Sequence, residues 1–349
     1  MKIYIPEINY TKFNKSELFT GIRPFLKDNK IGNYPEQLEK WGIQNRIITL
    51  ENKDECDFIL YPLVISSNAR KNNKFVEFHK FALSNKVKKI VVYISGDYGF
   101  VYPKLENVIY YRMGGFNSQL DRNNRIFPFL LSDHLKGIMD LDSIVLGDKK
   151  SKPVIGFCGH ASFDLLKFIF EKFKFLKMNI RRFSMNNFNF EPLFPSAYKR
   201  KKILKLLSKS SLIEDNFIFR DKYRGGFTDE STKIKTTQEY YQNIIESDYI
   251  LCVRGSGNFS VRFYETLLMG RIPILIDTDC KLPFEDLIKW DNHIIRIPWN
   301  KRQNVDAIVK FYHDNLNSEQ FKNLQISNRN LWLNFMNLNG FFEELKSLC

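Results

Sequence analysis

Arg262 and Glu265 stand three residues apart in an otherwise apolar run, NFSVRFYETLLMG, residues 258 to 270. On a helix that spacing puts both side chains on one face, where they could simply pair with each other. A buried ion pair stabilises little, because desolvation can exceed the attraction. A ligand rich in hydroxyls and phosphates accounts for both residues: a carboxylate accepts from a ribose diol, and a guanidinium forks onto phosphate. The four residues before the run, Arg254-Gly255-Ser256-Gly257, form a turn chemistry that suits the same ligand, since glycine lets a phosphate come close to the backbone.

These residues need a strand, a tight turn and a helix start. YILCV supplies a buried strand, and Asn258 or Ser260 can cap the following helix. Its N-terminal N–H groups and dipole favour an anion. In open α/β sheets such turns lie at the carboxyl edge, where ligands bind. The same rhythm runs along the chain. KIYIP, RIITL, DFILYPLVI, KIVVYIS and NVIYYRMGG read as strands in the first half, with KFVEFHKFALSNK as a helix between two of them. After the Gly-, Lys- and Pro-bearing LGDKKSKP at 146 to 153, a second series begins. It comprises the strand PVIGFCGH, the helix DLLKFIFEKFKFLK, the strand NFIFR, the helix QEYYQNIIESD, then YILCV, the Arg262 helix and the strand IPILID. From about residue 304 the pattern is helical. We therefore expect two α/β domains with parallel sheets, residues 1–150 and 151–349.

The length agrees, because 349 residues exceed one ordinary core and suit two domains of roughly 150. Lys and Arg (53) outnumber Asp and Glu (39), a formal charge of +14 that draws polyanions, acidic membranes or phosphorylated small molecules. No nucleic-acid motif is recognisable, and the aromatics fall on core-like faces rather than interleaving with a basic patch, so nucleic acid is not an expected partner. The five cysteines, Cys56, Cys158, Cys252, Cys280 and Cys349, are widely spaced with no CxxC, which argues against a disulfide framework or zinc site. No stretch reads as a signal peptide or membrane span, so the expected location is cytoplasmic, at most peripheral to an anionic membrane.

Glu265-Thr-Leu-Leu-Met-Gly270-Arg-Ile-Pro273 resembles the E-[AT]-x-x-x-G-x-P element of nucleotide-sugar glycosyltransferases with two Rossmann-like domains, the GT-B architecture. The longer pattern is similar to exostosin-type glycosyltransferases: Ser260-Val-Arg262-Phe-Tyr-Glu265, then Gly270-Arg-Ile-Pro273, then Asp279-Cys-Lys-Leu282-Pro283-Phe284. The resemblance implies a GT-B fold, two sheets facing a central cleft, with the acceptor on the first domain and the donor on the second. It also implies a ribose-binding Glu265, a nucleotide-sugar co-substrate (UDP-sugar favoured), inverting transfer without a metal, and an oligosaccharide or lipid-linked glycan as acceptor. Many GT-B enzymes carry a second glutamate eight positions earlier; here that position is Gly257. The rival functions are a non-catalytic GT-B-like binding protein and, further off, a basic nucleic-acid-binding protein.

On this reading the donor nucleotide is held by Arg254, Gly255, Ser256, Gly257, Asn258, Ser260, Arg262 and Glu265, with Arg220 and Arg224 of FIFRDKYRGGF clamping the leaving diphosphate. A solvated loop is the plainer account of those last two arginines. Asp97, beyond the strand KIVVYIS, is the candidate base for the acceptor hydroxyl, unless it only shapes its Gly-flanked turn. His160 in GFCGH, Arg112 in YYRMGG and Asp279 are donor- or acceptor-side candidates. Asp277-Thr278-Asp279 looks like the DxD that holds Mn²⁺ in GT-A-type transferases, but its place after the GT-B element favours a loop role over metal binding, and no metal or other cofactor is expected.

Overall fold

The computed structural model describes residues 1–27, 30–32, 34–43, 48–66, 73–97, 100–184, 188–220 and 229–349. The chain divides into two compact units. One comprises Met1–Leu130, Cys280–Ile288 and Asn334–Cys349; the other comprises Leu131–Asp279 and Lys289–Leu333.

In the first unit, β1 (Lys2–Tyr4), β4 (Thr49–Leu50), β5 (Phe58–Leu60), β7 (Lys89–Ser95), β8 (Val108–Arg112) and β9 (Asn124–Ile126) lie in the order β4-β1-β5-β7-β8-β9, and β6 (Ile65–Ser66) also pairs with β7. All these pairings are parallel. The short β2 (Leu26–Lys27) and β3 (Lys30–Ile31) form an antiparallel ribbon. Between these strands run α1 (Pro35–Lys40) and the amphipathic α2 (Asn73–Ser84). Buried on both faces, β5 and β7 read as unbroken apolar runs.

The second unit holds α3 (His134–Gly137), β10 (Val154–His160), α4 (Leu165–Phe183), α5 (Ser196–Leu207), β11 (Glu214–Arg220), α6 (Glu230–Ile245), β12 (Tyr249–Val253), α7 (Val261–Leu268), β13 (Ile272–Asp277) and β14 (Ile295–Pro298). Helices α8 (Val305–Asp314) and α9 (Ser318–Phe335) follow. The strand order is β11-β10-β12-β13-β14, wholly parallel. Such a sheet reverses its winding between β10 and β12, and the loops leaving the carboxyl ends of those two strands part there. The α/β class and parallel sheets agree with the sequence pattern. Among the described residues no helix is long and apolar enough to cross a membrane.

The division of the chain differs from the expected one at both ends. Residues 131–150 go with the second unit, tied there by Arg329–Asp133 and Gly147 N–H to Gln325 Oε1, 2.8 Å. The last helix, α10 (Leu338–Lys346), belongs to the first unit. Its Phe341 ring lies 4.8 Å from Tyr111, 5.2 Å from Phe127 and 5.6 Å from Phe19. Buried Glu344 accepts from the Tyr111 hydroxyl at 2.6 Å and pairs with Arg125 at 3.1 Å. An apolar helix face follows the core that can bury it, whatever its place in the chain.

Candidate functional site

The site is built where β10 and β12 separate. β10 pairs with β11 from Val154 to His160, but with β12 only through Ile155–Tyr249 and Gly156–Ile250. Beyond Gly156 the strands diverge, and the guanidinium of Arg262 fills the gap. Its Nη2 donates to the Cys158 carbonyl at 2.9 Å, and its carbon centre lies 4.4 Å over the Phe157 ring. Its Nε is buried and has no hydrogen-bond partner among the described residues. Burial pulls the guanidinium down, but its electrostatic interactions with Tyr240, Cys252 and Glu265 carry it above its ordinary value, so it stays a cation. Gly159 makes this approach feasible: a Cβ there would stand 2.8 Å from Arg262 Nη2, at a φ of +156°.

Glu265, one turn along α7, turns to α6. Its carboxylate accepts from the Tyr240 hydroxyl, and from that of Tyr241 at 3.3 Å. Burial, and then the neighbouring Glu265 charge, push both phenols up, so they remain donors. Tyr241 also meets His134 Nδ1. Among the described residues no ion pair within 4 Å joins Arg262 to Glu265; the two are near enough to influence each other's charge but hold different partners.

The turn after β12 lies at the same edge. Ser256 is exposed, Gly255 half-buried and Gly257 buried. Ser260 is the N-cap residue of α7, without a side-chain capping bond. Asn258 does not cap; it is buried and ties this turn to the next. Its Nδ2 donates to the carbonyls of Thr278 (3.0 Å) and Asp279 (2.9 Å), and its Oδ1 accepts from Thr278 Oγ1 at 2.6 Å. Arg254 points inward, 1% exposed, onto Glu191 Oε1 at 2.7 Å. Glu191 also takes Arg182 at 3.3 Å, so one buried carboxylate serves two guanidiniums.

Arg220 closes β11 against α6, bonded to the Thr236 carbonyl (2.6 Å) and Glu239 (2.7 Å). His160 lies beside it in register, half-buried. Arg224 lies outside the described residues. Asp277 pairs with Arg296 at 2.8 Å, and Asp279 is exposed with φ 67°. Among the described residues no group of three or more metal-ligating side chains gathers. In the first unit, Asp97 is exposed just past the carboxyl end of β7. Arg112 is buried in its own sheet, donating to Asn124 Oδ1 at 3.2 Å and to the Phe100 carbonyl.

Four contributors escaped the sequence reading. Arg200 on α5 bridges the two strand ends, donating to the carbonyls of His160 (2.9 Å) and Arg254 (3.3 Å). Its neighbour Lys199 is pulled down to about 8 by burial and by the charges of Arg254 and Arg302. Tyr240 and Tyr241 were legible only as part of an amphipathic helix. For all four, the signal sits in partners far apart in sequence.

Residues 199–311 match the Exostosin GT47 domain. A probable glucuronosyltransferase of Oryza sativa subsp. japonica is 31% identical over 72 residues, 21% of this chain and 17% of that protein. A second from the same plant is 40% identical over 70 residues, 20% and 17%. A probable beta-1,4-xylosyltransferase of Arabidopsis thaliana is 38% identical over 64 residues, 18% and 15%. The chain thus aligns with less than a fifth of the length of these relatives. The matched stretch carries β11 to β14, α7 and the loop leaving β12, and two parallel α/β sheets are the architecture of the GT-B class. From 199 to 311, therefore, the chain is similar to the Exostosin GT47 domain.

Proposed function

We propose that the protein is a glycosyltransferase that moves a sugar from a nucleotide donor to a glycan acceptor, and that the donor nucleotide binds where β10 and β12 part. One observation carries the reading. Arg262, in the matched stretch, presents a buried Nε with no partner among the described residues at a sheet's switch point, one helical turn from the Glu265 carboxylate. In that place a guanidinium takes a phosphate oxygen, and a carboxylate takes a ribose diol by exchanging its tyrosine hydroxyls for sugar hydroxyls. The Ser256–Ser260 backbone and the α7 N-terminus add donors for the diphosphate.

Transfer is inverting: a base removes the acceptor proton as the hydroxyl attacks the anomeric carbon, and the nucleoside diphosphate leaves. Asp97 is our base, since it is an exposed carboxylate at a strand's carboxyl end. Cations and backbone N–H groups do the work of a metal. The names of the relatives make UDP-glucuronic acid and UDP-xylose the first donors to try. The acceptor is an oligosaccharide or lipid-linked glycan on the cytoplasmic side of a membrane.

A thermal-shift screen of UDP, GDP, CMP and their sugars tests the binding site. A ligand a hundredfold above its Kd raises stability by about 2.7 kcal/mol. No shift with any nucleotide would remove the proposal. Shifts without sugar transfer or hydrolysis would favour a non-catalytic binding protein, for which the inward turn of Arg254 onto Glu191 already speaks.

A further inference from the structure

Helix α4 leaves an apolar face in solvent. Of the 25 large hydrophobic side chains exposed among the described residues, twelve fall between Phe163 and Leu193. On α4 itself Leu166, Phe170, Phe173, Leu176, Ile180 and Phe183 are each 56 to 73% exposed. At about 100° per residue these six cover one arc of about 140° along a 19-residue helix about 28 Å long, with Lys177 inside it near one edge. Phe188, 65% exposed and 6.0 Å from the Phe183 ring, prolongs the stripe.

The opposite face fixes which way the stripe points. Phe175 and Arg182 are buried there, with Arg182 on Glu191 at 3.3 Å. Asn179 exchanges two hydrogen bonds of 2.9 Å with the Glu191 backbone. Of the exposed cations, Lys172 borders the arc on one side and Lys174 and Arg181 on the other, while Lys177 stands just inside that second edge. Glu171, the helix's one acid, is half-buried and lies toward the inner side.

We propose that α4 is an interfacial helix that lies in the headgroup region of an anionic lipid bilayer, its aromatic stripe among the acyl chains. Charge decides the occupant. A helix with a wide apolar face, flanking cations and no exposed acid is made for the plane of an anionic surface, where lysine stems extend to the phosphates. A second copy of this chain would bring the same cations against each other and offer no counter-charge on this face. The +14 excess of the whole chain adds attraction at longer range.

The test is flotation of the full chain with vesicles of phosphatidylglycerol mixed with phosphatidylcholine, beside vesicles of phosphatidylcholine alone. Wild type should float with the first and stay down with the second. Phe170→Glu with Phe173→Glu should keep its melting temperature, both positions being exposed, and lose binding by at least about a hundredfold. Lys174→Gln with Arg181→Gln gives a second reading that spares the stripe: each lost cation should weaken binding about fivefold. Three outcomes would overturn the assignment: equal flotation on neutral lipid, unchanged flotation of either double variant, or no flotation from a dimer that the phenylalanine variant turns monomeric by light scattering.

Discussion

The charges of Arg262 and Glu265 are held by different neighbours, and that sets what each substitution does. In Glu265→Gln the amide oxygen can still accept from Tyr240, and Arg262 keeps Cys158 and the Phe157 ring. We expect nucleotide affinity to fall about 10- to 150-fold, worth about 1.5 to 3 kcal/mol, with little change in melting temperature. If the carboxylate existed only to balance Arg262, stability would drop instead by about 3 to 5 kcal/mol. Calorimetry and melting on one preparation separate the cases. Gly159→Ala tests the same guanidinium from below. The added methyl meets Nη2 at 2.8 Å. Displacing the guanidinium should cost about 1 to 3 kcal/mol in urea titration and abolish nucleotide binding. An alanine variant that binds normally would show that Arg262 is not a ligand.

Among the elements, the link between α4, the β12 turn and the segment before α5 runs through Glu191. Replacing it by Gln removes the buried carboxylate that Arg182 and Arg254 share. We expect a loss of about 3 to 5 kcal/mol, read by denaturant unfolding, whereas an exposed pair such as Lys233–Glu230 should give less than about 1. His134 on α3 supplies a pH dependence. Burial, only partly opposed by Asp133, lowers its pKa below 6.5, so the folded form holds it neutral. As pH falls through about 6.5 the unfolded chain takes up the proton first, and stability is lost until the folded pKa is passed. Wild type should therefore lose more stability than His134→Gln on going from about pH 7.5 to 5.5. Parallel melting curves for the two proteins would contradict this.

At the scale of the molecule, the return of the chain to the first unit is the feature that makes a prediction. Deleting 334–349 removes Phe341 and Glu344 from the core of Tyr111, Phe127 and Phe19. Hydrogen exchange should then lose protection in β7 and β8 while β10, β12 and β13 keep theirs. Equal loss in both sheets would argue that the chain unfolds as one. The proposed transfer should also survive EDTA; full loss restored by Mn²⁺ would bring Asp277 and Asp279 back as metal ligands.

Local pattern determined much of this protein. Apolar runs of strand length, alternating with amphipathic helices, specify parallel α/β sheets because strands buried on both faces need no polar alternation. The runs that became β1, β5, β7, β8, β10, β11, β12 and β13 were legible for that reason, as was the charged pair on α7. Short or polar elements were not: β9, NRI, has too few apolar residues, and α5, SAYKRKKILKLL, hides its buried positions among lysines. Tertiary structure alone decided the partners. Nothing in a linear pattern says that Tyr240 and Tyr241 would reach Glu265, that Glu191 would turn Arg254 inward, or that α10 would join the first sheet. Periodicity reports which face of an element is apolar; it carries no information on which other element, tens or hundreds of residues away, will cover that face or satisfy its charges.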